Sequence, residues 1–230
     1  MTFIHIYKDI AQFKKSFDII TNKFHYPIAI FLCTLISKSK ATPNFITFIS
    51  IVFELSAISL ICINFSLYKY FIVILFQLGW IFDLMDGMLA RYKKQGSYHP
   101  TNPSIKGYYL DAVSDHVLKF MAIGALAYQL SSTFSWGWKL SLLFIVIHAI
   151  TQTEYTIRNL ILVKTQQDKP ELSRRTGSIV ESTVLLFNNI YLFYIIFLPI
   201  DRIDLLFICF GIGEIILFIK RSLKFWVSVN

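Results

Sequence analysis

Four aspartates stand inside apolar sequence, in two short stretches. The first reads Asp83-Leu84-Met85-Asp86-Gly87-Met88-Leu89-Ala90-Arg91, and the second Gly107-Tyr108-Tyr109-Leu110-Asp111-Ala112-Val113-Ser114-Asp115. A charged residue at mid-membrane depth costs about 2.5–3.5 kcal/mol on insertion scales, so carboxylates in such surroundings point to function. Asp83 and Asp86 are three positions apart, and Asp111 and Asp115 four, which puts each pair on one helix face. Oxygen ligands converging from two facing helices suit a hard divalent cation, Mg²⁺ or Mn²⁺, as one ion or two. Packed together, such carboxylates repel one another, and a cation relieves the repulsion. Small residues at Gly87 and Ala90 let a backbone or a flat substrate come close. Arg91 brings a guanidinium that can hold phosphate oxygens in a two-point grip. The pattern points to a metal-dependent enzyme set in a membrane.

The elements that must carry these residues follow from composition. Of 230 residues, 55% are hydrophobic and 16% charged, with mean hydropathy +0.58, against about 25% charged in soluble domains. Long apolar runs recur along the chain, so the expected class is all-α, a polytopic membrane bundle. Spans are predicted near 44–65, 69–92, 107–130, 138–163, 179–200 and 203–223, six in all. Residues 3–20 place Phe3, Ile6, Tyr7, Ile10, Phe13 and Phe17 on one face against Lys8, Lys14 and Lys15, the pattern of an amphipathic interfacial helix. The run Tyr26–Ile36 is too short to span and reads as re-entrant or interfacial. The expected organisation is a juxtamembrane segment over 1–40 and one membrane domain over 41–230.

Charge sets the orientation. The net charge is +8, and most of the 22 basic residues fall in the N-terminal segment, the loops near 93–106 and 164–178, and the tail. The positive-inside rule then puts both termini, both long loops and the mouth of the site in the cytoplasm. Some of these cations can also hold anionic lipid headgroups. No basic recognition motif with interleaved aromatics occurs, which excludes nucleic acid as a partner. Cys33, Cys62 and Cys209 are isolated and have neither metal spacing nor a pairing pattern. Charges at Lys8, Asp9, Lys14 and Lys15 interrupt the first apolar positions, so a cleavable signal peptide is not expected.

Taken together, Asp-x2-Asp-Gly-x2-Ala-Arg, a spacer and Gly-x3-Asp-x3-Asp resemble the defining motif of the CDP-alcohol phosphotransferase (CDP-alcohol phosphatidyltransferase) family. Asp83, Asp86, Gly87, Ala90, Arg91, Gly107, Asp111 and Asp115 fill every defining position. Pro43-Asn44-x2-Thr47, at the start of the first span, is similar to a family element at that point. The resemblance implies six spans behind an interfacial helix, and transfer of a phospho-alcohol group from a CDP-linked donor to a hydroxyl, with release of CMP. It implies Asp83, Asp86 and Asp111 as metal ligands. Asp115 would be the catalytic base, with a possible share in a second metal site. Asn44, Thr47, Asp83, Gly87, Ala90, Arg91 and Gly107 fall on the nucleotide side. Homodimers are usual in the family. One departure is the insert Tyr92 to Lys106, which is longer than the family's usual spacer. Its Gly96, Pro100 and Pro103 predict an ordered loop, which either shapes acceptor choice or is a surface extension.

The acceptor side is less defined. Lys119, Glu154, Arg158, Arg174 and Arg175 are candidates for it, though Glu154 and Arg158 also have the spacing of a structural ion pair. His116 is expected to pack away from the aspartate face, and Glu54 and Glu214 to sit neutral in the bundle or line a subunit contact. CDP-diacylglycerol with a small polar acceptor is the favoured pair. CDP-choline or CDP-ethanolamine with a lipid hydroxyl is the alternative. A membrane prenyltransferase would leave the Gly-Ala-Arg positions unexplained. A cation transporter would carry its charges along a path near the midplane rather than at one level.

Overall fold

The computed structural model describes residues 2–14, 18–101, 104, 106–165, 186 and 189–229, and among these every regular element is a helix. The α-helices are α1 (Phe3–Ala11), α2 (Tyr26–Ile36), α3 (Pro43–Tyr92), α4 (Lys106–Thr133), α5 (Gly137–Thr165), α6 (Ile190–Phe197) and α7 (Ile203–Val229). They fall into two compact units, residues 1–125 and 126–230.

The first unit is organised by α3. Thr42 starts it by accepting from the Phe45 N–H at 3.3 Å, with Pro43 at the first helical position. Its 50 residues would span about 75 Å as one rod, far beyond the roughly 30 Å hydrocarbon core of a bilayer. The helix breaks at Asn64 (φ −164°, ψ 90°), whose side-chain oxygen accepts from the Leu67 N–H at 3.1 Å. The two arms then fold back on each other. Ser50 Oγ donates to Gly79 O at 2.8 Å, and the Phe53 and Phe82 rings lie 5.4 Å apart. Thr47, near the start of one arm, meets Asp86, near the end of the other. The arms are therefore antiparallel, and the turn predicted at 66–68 is centred on Asn64, where an asparagine can cap the second arm. The stretch containing α3 is long and apolar enough to cross a membrane.

Gly79 sets how closely the arms approach. A Cβ there would lie 2.6 Å from Glu54 Cγ, so the buried Glu54 side chain occupies the space that glycine leaves. The helices α1 and α2 pack on each other and on α3, burying Ile6, Ile10, Ala29 and Cys33. The single helix predicted over 3–20 is not formed; α1 ends at Ala11. Asp18 starts a new helical segment by accepting from the N–H groups of Ile20 and Thr21, both at 2.9 Å. A carboxylate that captures backbone donors in this way favours a cap over a helix interior. That segment opens with a π-helical turn, Thr21–His25, tied to α3 by His25 Nε2 and Gln77 Oε1 at 2.8 Å.

In the second unit α5 and α6 pack on α7. Phe144 stacks on Phe207 at 4.7 Å, and beside it His148 Nδ1 lies 2.8 and 2.9 Å from the two carboxylate oxygens of Glu214. Thr151 Oγ1 is 3.1 Å from Glu214 Oε2. Glu214 is thus buried against a histidine and a hydroxyl within this unit. Of the span predicted over 179–200, α6 is the described helix, and it begins where Asn189 accepts from the Leu192 N–H at 3.3 Å. Asn189, in extended conformation (φ −99°, ψ 90°), is its N-cap, and of the predicted span residues 179–185, 187 and 188 lie outside the described residues.

Candidate active site

All four motif aspartates belong to the first unit. The second arm of α3 carries Asp83, Asp86, Gly87, Ala90 and Arg91, and α4 carries Gly107, Asp111 and Asp115. One carboxylate oxygen from each of Asp83, Asp86 and Asp111 can be chosen so that all three lie within 4.8 Å of one another. Asp86 is buried, and Asp83 and Asp111 are half-buried. The Thr47 hydroxyl, 3.2 Å from Pro43 O, hydrogen-bonds to Asp86 Oδ2. The first arm thereby orients one carboxylate of the second. Three hard anionic oxygens so close together, from two helices, match the donor set of a divalent oxygen-binding cation.

Asp115 is not one of these three but is close enough to bear on Asp83 as a like charge. One turn beyond Asp111 on α4, it takes a hydrogen bond from Lys119 Nζ at 3.1 Å, and both side chains are part-buried. Lys119 therefore faces the acidic group directly, as its spacing allowed. His116, next along the helix, is exposed.

A pocket of about 400 Å³ runs along the motif. Asp86, Gly87, Ala90, Arg91, Gly107 and Asp111 line it, together with Asn44 and Thr47 from the start of α3. Every predicted nucleotide-side residue except Asp83 is in this wall. Gly107 permits the close approach of α4 to α3, since a Cβ there would lie 2.8 Å from Asn44 Oδ1. A Cβ at Gly87 would sit 3.4 Å from both Arg91 terminal nitrogens, so the glycine leaves room for the guanidinium to fold back along its helix. The Arg91 Nε is buried and has no hydrogen-bond partner among the described residues.

Besides Pro43, the rest of the wall comes from residues outside the motif: Thr42, Gln95, Gly96, Ser97, Tyr98, Ser104 and Lys106. Sequence reasoning missed them as site residues. The available signal was the long insert itself, with a glycine suited to positive φ just ahead of an aromatic. On the acceptor side, Glu154 belongs to the second unit, where it lines an apolar groove of about 360 Å³ with Ile150, Phe218, Ser222 and Trp226. The Arg158 side chain and Arg174 and Arg175 lie outside the described residues.

Residues 40–226 match the CDP-alcohol phosphatidyltransferase family, and the chain belongs to it. The family consists of membrane-associated enzymes that transfer a phospho-alcohol group from a CDP-alcohol and use a divalent metal. A search of curated proteins found no match to this chain.

Proposed function

We propose that this protein is an integral membrane transferase that moves a phosphatidyl group from CDP-diacylglycerol to the hydroxyl of a small polar acceptor, releasing CMP. The observation that carries this reading is the meeting of three aspartates from two helices, two of them in the wall of a pocket lined by the rest of the motif. Mg²⁺ or Mn²⁺ held by Asp83, Asp86 and Asp111 would neutralise charge on the diphosphate and on departing CMP. Arg91 binds a phosphate oxygen through its guanidinium. Thr47 fixes Asp86, and Asn44 and the glycine-lined wall take the nucleoside. The acceptor oxygen forms a bond to the β-phosphorus as the bond from that phosphorus to the CMP oxygen breaks. Asp115 receives the proton of the attacking hydroxyl. Lys119 holds one of its oxygens and leaves the other for the acceptor. A share of Asp115 in a second metal site is compatible with the same role.

The membrane arrangement belongs to this proposal: six spans over 41–230, an interfacial segment over 1–40, cytoplasmic termini, a cytoplasm-facing site and a homodimer. The apolar sides of α3 and α4, with Phe48, Val52, Ile74 and Val117 exposed, suit lateral entry of lipid chains. Glu154, Arg158, Arg174 and Arg175 are proposed on the acceptor side. If the acceptor is anionic, Arg174→Ala with Arg175→Ala raises its KM.

The test is CMP release by the purified protein in lipid nanodiscs with Mg²⁺ or Mn²⁺. CDP-diacylglycerol is offered with glycerol phosphate, serine, inositol or inositol phosphate, and CDP-choline and CDP-ethanolamine with diacylglycerol. Metal-dependent CMP in a CDP-diacylglycerol well supports the proposal. CMP only in the diacylglycerol wells overturns the donor assignment, and failure to bind CDP overturns the whole reading.

A further inference from the structure

Part of the long insert after Arg91, Gln95 to Tyr98, borders the pocket while remaining largely open to solvent. At its base, Lys93 Nζ donates to Ser39 O at 2.9 Å and Ala41 O at 2.7 Å, and the Gln95 N–H donates to Ala90 O at 2.9 Å. Lys94 (φ 52°) and Gly96 (φ 63°) both take left-handed backbone, which reverses the chain just past the end of α3. Gly96 O then accepts from the Ser104 N–H at 3.0 Å and closes the loop at its neck. The 3₁₀ turn Gly96–Tyr98 that results carries the Tyr98 ring over Arg91, with the guanidinium carbon 5.8 Å from the ring centre. That distance is within cation–π range. Gln95, Ser97 and Tyr98 all line the motif pocket.

The pocket wall combines Asp86 and Asp111, where a metal-bound diphosphate belongs on the proposed reading, with the polar side chains of Asn44, Gln95 and Ser97, the Tyr98 ring and the cation Lys106. Arg91 lies in the same wall, with the Tyr98 ring beside it. The described part of the insert therefore shares its pocket with Asn44, Thr47, Gly87 and Arg91, the residues assigned to the nucleotide on that reading.

We propose that the Gln95–Tyr98 turn of the insert is a donor-recognition element, in which Tyr98 is the positioning residue that stacks on Arg91 and aims its guanidinium at a phosphate of the CDP-linked donor. This rests on the transferase reading above. Tyr98 acts through Arg91. The amide of Gln95 and the hydroxyl of Ser97 offer hydrogen bonds to the nucleoside beyond those of the motif.

The experiment measures calorimetric binding of CDP, with Mg²⁺, to the full chain in nanodiscs, alongside steady-state CMP release. Tyr98→Ala is expected to weaken CDP binding roughly two- to fivefold, the loss of one exposed cation–π contact. It should raise the donor KM by the same factor and leave kcat and the acceptor KM within about twofold. Tyr98→Phe keeps the ring and should bind like wild type. In an Arg91→Ala background Tyr98→Ala should add nothing, because the contact it removes is already gone. An unchanged CDP affinity in Tyr98→Ala, additive losses with Arg91→Ala, or an effect confined to the acceptor KM would each overturn the assignment. Wild-type protein that binds no CDP overturns the transferase reading, and the donor role of the insert with it. A melting temperature equal to wild type excludes misfolding as the source of any loss.

Discussion

The two units each bury acidic side chains, and they treat them in opposite ways. In the second unit Glu214, 2% exposed, faces His148 and Thr151, so that its acceptors meet donors at 2.8–3.1 Å. In the first, Asp83, Asp86 and Asp111 converge on one another within 4.8 Å, beside a pocket. A carboxylate matched by its neighbours holds helices together. Carboxylates gathered against like charge store unfavourable energy that a bound cation releases. On the proposed reading the Glu214 cluster is a strut and the aspartate cluster a binding site, and mutation can separate the two.

The largest effect is expected at Asp111. Asp111→Asn should lower CMP release by about three orders of magnitude, the scale of a lost metal contribution of several kcal/mol. In metal-free protein the same change should leave the melting temperature equal or higher, because one like charge is gone. A large metal-free destabilisation would make the trio structural and erase the contrast. Asp115→Asn should cost about 10²-fold or more in turnover while CDP binding stays within a few-fold; full activity removes its assignment as base. The opposite behaviour is expected of Glu214→Ala. Removing one partner of a buried pair destabilises by about 3–5 kcal/mol, read from the denaturation midpoint, with turnover per folded molecule unchanged. Replacing both partners, His148→Phe with Glu214→Leu, should recover most of that loss. Smallest is Gly79→Ala, which forces a methyl against Glu54 Cγ and should cost about 1–3 kcal/mol of stability.

Much of the candidate site could be read in the sequence because its parts are local. Spacing of three and four residues fixes a helix face, so Asp83 with Asp86 and the glycines around them needed no tertiary information. Thr47 came from the resemblance, and its contact with Asp86 depends on a hairpin that only the folded chain displays. The partner of His148 was missed for the same reason. Glu214 lies 66 positions away, and helical periodicity carries no signal at that range. Asp18 was missed in the reading of residues 3–20 because helical periodicity gives no weight to one capping side chain, whereas the backbone responds to the cap. Tyr98 was invisible as a site residue because its place depends on two left-handed backbone positions, Lys94 and Gly96, of which only the glycine is a recognisable sign.

The reversal at Asn64 gives the hairpin the character of a ruler with its zero at one end and the site at the other. One residue added to either arm turns every side chain beyond it by about 100° and shifts it about 1.5 Å. Thr47 would slide off Asp86, and the Asp83–Asp86 face would swing away from α4. Lengthening both arms together by whole turns would carry the site outward intact. Exchange of outward-facing residues along the arms, such as Phe48, Val52 and Ile74, leaves that register untouched, whereas a change in the length of one arm alone does not. For this half of the molecule the site is held by a count as much as by a composition.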